Sequence, residues 1–386
     1  MKILMVLDHE FPPDIRVENE IEALTAAGHE VHVACYTMKG RPAKETHQGA
    51  HVHRKHINKL TYKSSVGCLK FPLYFHFWKT FLTGLMNKNS FNAIHVHDLP
   101  LASVGFEIAR KNNIPFTLDL HENWPALLRM SPHTKTPLGK LLSSNTQWER
   151  YEKKYVQLAD HVIVVVEEAK DRLKFMGVKE DKITVVGNTL NLNHFDLKDL
   201  PGSDDKIVLA YAGGISEHRG LQFPIIGLKK LKGMSKKAEL WILGEGSYTE
   251  ELKRLAQENE VSEHVEFFGW KPYNEMQEYL AKADICIIPH IKSDHTDTTI
   301  PHKLFQYMYA GKPIIASDCA PIKRIVEKVG CGLIYHWNQP EEFAACVSAL
   351  AEDPSRFREM KNAGKKGVES EYLWENDRIR LNTIYQ

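Results

Sequence analysis

Several short stretches of this chain carry residue types that can do chemistry. Thr298–Pro313, TTIPHKLFQYMYAGKP, reads as a short helix whose start can hold a ligand. Pro301 suits a first helical turn, where its missing N–H would have no partner anyway. Thr298 and Thr299 offer hydroxyls to cap free amides, and Gly311 then Pro313 stop the helix. Leu304 and Met308 can face a core, while Lys303, Gln306 and Tyr307 share another face. Free amides, hydroxyls and a lysine at one helix start suit an anion or sugar hydroxyls, with Ile300 and His302 in the same segment. A buried, well-capped helix explains the same pattern.

A second stretch, Gly213-Gly214-Ile215-Ser216-Glu217-His218-Arg219-Gly220, lies between a strand and a helix. The two glycines let backbone approach a ligand, and Arg219 can bind phosphate oxygens through its planar fork. A tight turn with a surface arginine is the plainer alternative. No GK[ST] follows, so this is not a Walker loop. Gly244 in LGEG and Gly269 with Lys271 in FGWKP each end a strand, where they offer backbone to a nucleotide or simply turn the chain. In the first half, His97-Asp98 and His121-Glu122 each follow a strand end, on the side where α/β sheets open. Such pairs suit acid–base work or polar recognition, although a structural histidine is the common case. Asp14 and Arg16 follow the first strand in DHEFPPDIR without a GxGxxG fingerprint.

The elements that position these residues alternate. Strands are predicted at Ile3–Leu7, Val31–Cys35, Ala93–Val96, Phe116–Leu120, His161–Val166 and Ile183–Val186, with amphipathic segments near 16–27, 101–111, 138–158 and 167–176. Apolar runs such as VIVVV fit strands covered on both faces, hence a parallel sheet. The alternation lapses over 187–205, rich in Asn, Asp, Gly and Pro, and restarts with strands at Ile207–Ala212, Glu239–Leu243, Val265–Phe268, Ile285–Ile288, Ile314–Ala316 and Gly332–Ile334. Helices are predicted near 221–231, 248–259, 273–283 and 341–351, and the tail reads as two helices broken around Gly364–Gly367. At 386 residues the chain is long for one core. The reading is α/β, with a first domain over 1–195, a second over 196–369 and a closing helix at about 370–386.

Composition narrows the partners. The net charge of +1 gives no basic field for nucleic acid. The six cysteines form no CxxC pair, and the twenty histidines show no metal-ligand spacing, so neither a disulfide framework nor a metal site is expected. The opening MKILMVLDHEFPPD has too short an apolar run for a secretory signal, and no window has the apolar length of a membrane span, which points to a cytoplasmic protein. Residues 55–88 interleave lysines with Phe, Tyr and Trp, a mixture that fits either an anionic membrane surface or a core helix with solvated lysines.

Taken together, the ordered set resembles the family-four retaining glycosyltransferases of the GT-B fold. PPDIRVENEIEALTAAGHEV is similar to that family's opening; VVGNTLNLNHF, YAGGISEHRGL, ILGEG, FFGWKP, ADICIIPH and IPHKLFQYMYAGKPII follow in its order, and EYLWENDRIRLNTIY resembles its terminal crossing helix. The resemblance implies two Rossmann-like domains facing across a cleft. It also implies a UDP- or GDP-linked sugar donor, no metal or other cofactor, and a glycan or lipid-linked acceptor for a surface polysaccharide, with contact to the inner membrane face. It places Arg219 on the pyrophosphate, His121 (with Glu122) beside the reacting sugar, Thr298–His302 and Lys303 on sugar hydroxyls and phosphate, and Gln306 on the ribose. Gly213, Gly214, Gly244, Gly269 and Lys271 fall on the donor side; Asp14, Arg16, His97 and Asp98 fall on the acceptor side. Gln306 stands where relatives carry a glutamate, Thr298 where a first glutamate often lies, and Gly214 where many carry an arginine. An epimerase on the same scaffold and a non-catalytic nucleotide-sugar-binding partner subunit are the competing expectations.

Overall fold

The computed structural model describes residues 1–386 apart from 132, 133, 135, 137, 138, 140, 141, 196–205 and 233–236. The expected connection over 187–205 and the start of the 138–158 segment fall partly outside the described residues; the helix there runs Asn145–Leu158. The chain forms two units, Met1–Gly187 with Glu375–Gln386, and Asn188–Trp374.

The first unit is built on β1 (Lys2–Val6), β2 (Glu30–Thr37), β3 (Lys44–His47), β4 (Ala50–His56), β5 (Ala93–His97), β6 (Phe116–Leu120), β7 (His161–Val164) and β8 (Ile183–Val185). They form one sheet in the order β3-β4-β2-β1-β5-β6-β7-β8, parallel except for β3 against β4. Of the interior strands, β1 and β7 carry apolar runs buried on both faces: Ile3 to Val6 are wholly buried, as are Val162 and Ile163. The strand order reverses between β1 and β5, so the loops leaving those two strands diverge and open a crevice at Asp8–His9 and Asp98.

The second unit repeats the plan with β9 (Lys206–Ala212), β10 (Lys237–Leu243), β11 (Val265–Gly269), β12 (Ile285–Ile288), β13 (Ile314–Ser317) and β14 (Gly332–Tyr335), ordered β11-β10-β9-β12-β13-β14 and all parallel. Its reversal lies between β9 and β12. The loop after β9 carries Gly213–Gly220, and the segment after β12 leads to Thr298–Lys303.

Two sequence expectations need correction. The hairpin β3–β4 was not expected, because KETH and AHVHRKH are too polar to stand out as strands; its turn uses Gln48 and Gly49 at φ of 48° and 85°, and the pair sits at the sheet edge. The tail does not break at Gly364–Gly367: one helix runs Pro354–Glu371 through both glycines. They serve close packing, since a Cβ on Gly364 would lie 3.0 Å from the Met308 carbonyl oxygen and one on Gly367 would lie 2.6 Å from Val329. The chain leaves that helix at Tyr372, and a further helix spans Trp374–Thr383.

Candidate functional site

In the second unit the turns leaving β9, β10 and β11 are bonded side by side. Gly213 N–H donates to Leu243 O at 2.8 Å, Ile215 N–H to Glu245 O at 3.0 Å, and Gly244 N–H to Gly269 O at 2.8 Å. Gly244 has φ of 134°, and a Cβ there would stand 2.0 Å from the Gly213 carbonyl oxygen, so this glycine lets two turns touch. Gly214 differs: it is exposed and a Cβ on it would meet nothing within 4 Å.

Above these turns lies a cationic cluster. Lys303 holds its ammonium 3.8 Å from the centroid of the Tyr211 ring, and a Cβ on Gly213 would come 2.5 Å from that Nζ. Burial and the neighbouring Arg219 push the Lys303 ammonium well below its usual range. Arg219 Nη1 lies 3.4 Å from His290 Nε2. The surrounding imidazoles are held neutral by burial and by Arg219: His290 falls well below its usual value, His218 to about 4, and His295, beside His218, to about 3. Among the described residues neither Arg219 nor Lys303 has a carboxylate partner. Two adjacent cations without an acid form a site short of negative charge.

The helix that carries Lys303 spans His302–Tyr309, with Pro301 as its cap residue and no side-chain cap. The expected capping by threonine is therefore corrected: Thr298 Oγ1 donates to Asp294 O at 2.7 Å and Thr299 Oγ1 to His295 O at 3.1 Å, which ties the loop to itself. Gly311 does end the segment, at φ of 62°. Leu304 and Met308 are wholly buried; Tyr307 is too, with its hydroxyl accepting from Ala212 N–H at 2.9 Å. Gln306 donates to Tyr273 Oη at 3.0 Å through its amide nitrogen, so its amide oxygen remains an acceptor. Ile300 is buried and its carbonyl accepts from Asn188. Lys271 is 3.8 Å from Glu275 and so already has an anion, unlike Lys303.

The first unit gathers a different cluster beside its own reversal. Asp119 accepts from His121 Nε2 at 2.7 Å and from Arg16 Nη2 and Nε at 2.9 and 3.1 Å. Arg16 also approaches Glu20 at 3.2 Å and donates to Val186 O at 3.0 Å. His97 Nδ1 is 3.1 Å from His121 Nε2, and His95 Nδ1 is 2.8 Å from the Tyr385 hydroxyl, which comes from the terminal segment. Burial lowers the His121 value, but Asp119 and Asp98 outweigh it and raise it to about 9, so the ring is an imidazolium at neutral pH. Asp119 is held well below the carboxylate range by Arg16 and His121 despite its burial. Burial beside Asp119 pushes Glu20 well up, and burial with His95 pushes His97 down to about 3.

Several acceptor-side expectations change in this light. Arg16 is 4% exposed and fully engaged, so it is an internal ion-pair partner and presents nothing to a ligand. Asp14 caps the helix Ile15–Ala26, accepting from Arg16 and Val17 N–H, and pairs with His9 at 3.0 Å. His97 is buried and neutral. His121 and Asp98 do converge, at 3.7 Å, while Glu122 stands next to them half-buried. Asp119 was missed; the signal was present in LDLHEN, since residues two apart on a strand share a face. Glu20, His95, His97 and Asp119 are close enough to suggest a metal site. The rings of His95 and His97, however, stack at 4.4 Å and 13°, so their in-plane lone pairs do not converge on one point, and Arg16 already holds both carboxylates.

Comparison with known sequences gives the family. The description Glycosyltransferase Family 4 matches residues 15–194, and Glycosyl transferases group 1 matches residues 194–367. An uncharacterized glycosyltransferase of Methanocaldococcus jannaschii is 23% identical over 100% of this chain and 98% of its own length. A putative colanic acid biosynthesis glycosyltransferase, WcaL of Salmonella typhimurium, is 26% identical over 56% of this chain and 53% of its own, so this chain spans about half of that relative. Among solved structures, HepE of Anabaena in complex with UDP superposes with a TM-score of 0.72 at 13% identity, covering 100% of this chain and 99% of that one, which is a likeness of fold.

Proposed function

Because the chain belongs to the group 1, family-four glycosyltransferases of the GT-B fold, we propose that it moves a sugar from a UDP- or GDP-linked donor onto a glycan or lipid-linked acceptor in surface polysaccharide synthesis. The observation that carries the donor assignment is the pair Arg219 and Lys303, two neighbouring cations with no carboxylate among the described residues. A nucleoside diphosphate supplies the missing negative charge, and the open Gly213–Gly214 turn lets its phosphates approach the backbone. UDP in the neighbouring fold of HepE and the polysaccharide pathway in the name of WcaL support the same reading.

The chemistry follows from charge. In transfer the bond from the anomeric carbon to the β-phosphate oxygen breaks, and a bond to the acceptor hydroxyl oxygen forms. Negative charge grows on the departing diphosphate, where Arg219 and Lys303 stabilise it more strongly in the transition state than in the bound donor. The family resemblance implies transfer with retention, in which the hydroxyl proton passes to the leaving phosphate, so no dedicated base is assigned. No metal is assigned, since the two cations occupy the role a divalent ion would take. Gln306 holds the ribose through its amide oxygen.

The acceptor side is read as lying on the cytoplasmic face of a membrane. Between Glu45 and Asp98 the chain has no acidic residue, but it carries Arg54 and Lys55, Lys59, Lys63, Lys70, Lys79 and Lys88. The helices Lys59–Lys63 and Leu73–Met86 lie there, with Leu60, Tyr62, Phe71 and Leu73 exposed. Exposed apolar side chains in a stretch whose own charged residues are all basic suit anionic headgroups. No helix among the described residues is long and apolar enough to cross a membrane.

The test is Arg219→Ala, assayed for turnover with UDP- and GDP-sugars. The expected loss is roughly a hundredfold or more, the scale of removing one charge-stabilising donor. A folded variant with unchanged kinetics contradicts the assignment.

A further inference from the structure

The first unit carries another polar cluster at the opposite end of its sheet from Asp8, Asp98 and His121. Those residues follow the carboxyl ends of β1, β5 and β6, whereas this cluster stands at the amino ends of β2 and β4. Glu30 and His32 are two apart on β2 and so share a face, and the parallel register sets His51 of β4 beside His32. One ligating atom from each of Glu30, His32 and His51 lies within 4.8 Å of the others. The His32 and His51 rings are 4.8 Å apart and tilted by 44°, so their planes cross. Two imidazoles on one zinc ion place their ring centres roughly 5 Å apart. The stacked pair His95 and His97 lacks that geometry.

His32 is the fixed member of the group. It is buried, Phe91 stands edge-on to it at 5.1 Å, and its Nδ1 lies 2.8 Å from His53 Nε2. An outer partner on the second ring nitrogen is what orients a ligating imidazole. The His32 Nε2 lies 2.8 Å from Glu30 Oε1. Glu30 and His51 are exposed, and the His51 ring makes no hydrogen bond among the described residues. Both side chains can therefore rotate until the ligating atoms reach the roughly 3.3 Å spacing of a tetrahedral zinc site. Lys2, 2.9 Å from Glu30, is a partly exposed competitor that an ion displaces, in contrast to the buried Arg16 that holds Glu20 and Asp119.

We propose that Glu30, His32 and His51 bind one zinc ion, with water as the fourth ligand, and that the ion clips the edge hairpin β3–β4 to the interior strand β2. Two imidazoles and one carboxylate suit this borderline ion over magnesium, which takes oxygen ligands. The site is independent of the transferase reading, since its role is to hold the edge of the sheet. The sequence conceals it because Glu30-x-His32 has the period of a strand, and the third member comes from the neighbouring strand.

The experiment titrates zinc chloride into the full chain, freed of any affinity tag, by calorimetry, with magnesium chloride as the control. Tm and amide hydrogen exchange are recorded with and without zinc. The expected result is one zinc ion per chain, a higher Tm by mass action and slower exchange over residues 44–56, with no response to magnesium. Zinc affinity falls by about tenfold or more in both His51→Ala and Glu30→Gln, whose exposed positions leave the metal-free Tm close to that of wild type. Affinity that survives either substitution, no saturable zinc binding, zinc binding without slower exchange over 44–56, or an equal response to magnesium overturns the proposal.

Discussion

Each unit places an arginine among histidines beside the reversal of its sheet, and the two clusters balance charge in opposite ways. In the first, Arg16 is closed in by Asp119 and Glu20 and is almost wholly buried. In the second, Arg219 and Lys303 stand beside neutral imidazoles and an aromatic face, with no carboxylate partner among the described residues. A charge matched inside the fold holds the fold, and it leaves nothing for a ligand. A charge left unmatched at a strand-end loop is tolerated because something else arrives to match it.

The contrast yields an ordered set of expectations. The largest effect belongs to the matched cluster. Arg16→Met strands Asp119 and Glu20 in a buried setting and lowers the unfolding free energy by about 3–5 kcal/mol, the usual loss when one partner of a buried pair is removed; urea unfolding measures it. A loss below about 1 kcal/mol would show that the network is solvated.

Next in size is a pH effect at His121. Its value is raised in the folded protein to about 9 from an ordinary 6.5, so protonation stabilises the fold fully below about pH 6.5, and that stability drains away as pH rises through about 9. Comparing wild type with His121→Gln from pH 6 to 10 should show a gap in unfolding free energy that closes toward the alkaline end. A gap independent of pH would mean that the ring is neutral throughout.

The smallest effect concerns Gly214. A side chain there meets open space, so the fold does not require glycine. Gly214→Arg adds a third cation to the unmatched cluster and should tighten nucleotide binding by roughly tenfold, about 1.4 kcal/mol. Weaker binding would place the phosphates elsewhere.

The two clusters also differed in how far sequence could reveal them. Strands such as VIVVV and ICII are legible because burial on both faces demands unbroken apolar runs, and Arg219 and Lys303 stand in segments whose glycines and prolines mark strand-end loops. The matched cluster was harder. Arg16 and Glu20 are one helical turn apart, but His95, Asp119 and Tyr385 are far from them in the chain, and only the fold brings the five together. A buried arginine and a ligand-seeking arginine look alike until their partners are known. Glycine misled in the tail for a related reason: Gly364 and Gly367 interrupt no helix, because what they provide is room for Met308 and Val329. Thr298 and Thr299 looked like caps by position, yet their hydroxyls turned back to the carbonyls of Asp294 and His295.

The central claim is that the Arg219–Lys303 cluster awaits a diphosphate, and Lys303→Met tests it most directly. Melting curves would be recorded for wild type and variant, each with and without UDP and GDP. The account predicts that the variant melts higher than wild type without ligand, because a desolvated and unmatched ammonium has been removed. It also predicts that one nucleotide raises the wild-type Tm by mass action while leaving the variant nearly unmoved. A variant that melts lower than wild type and still responds fully to nucleotide would contradict the account.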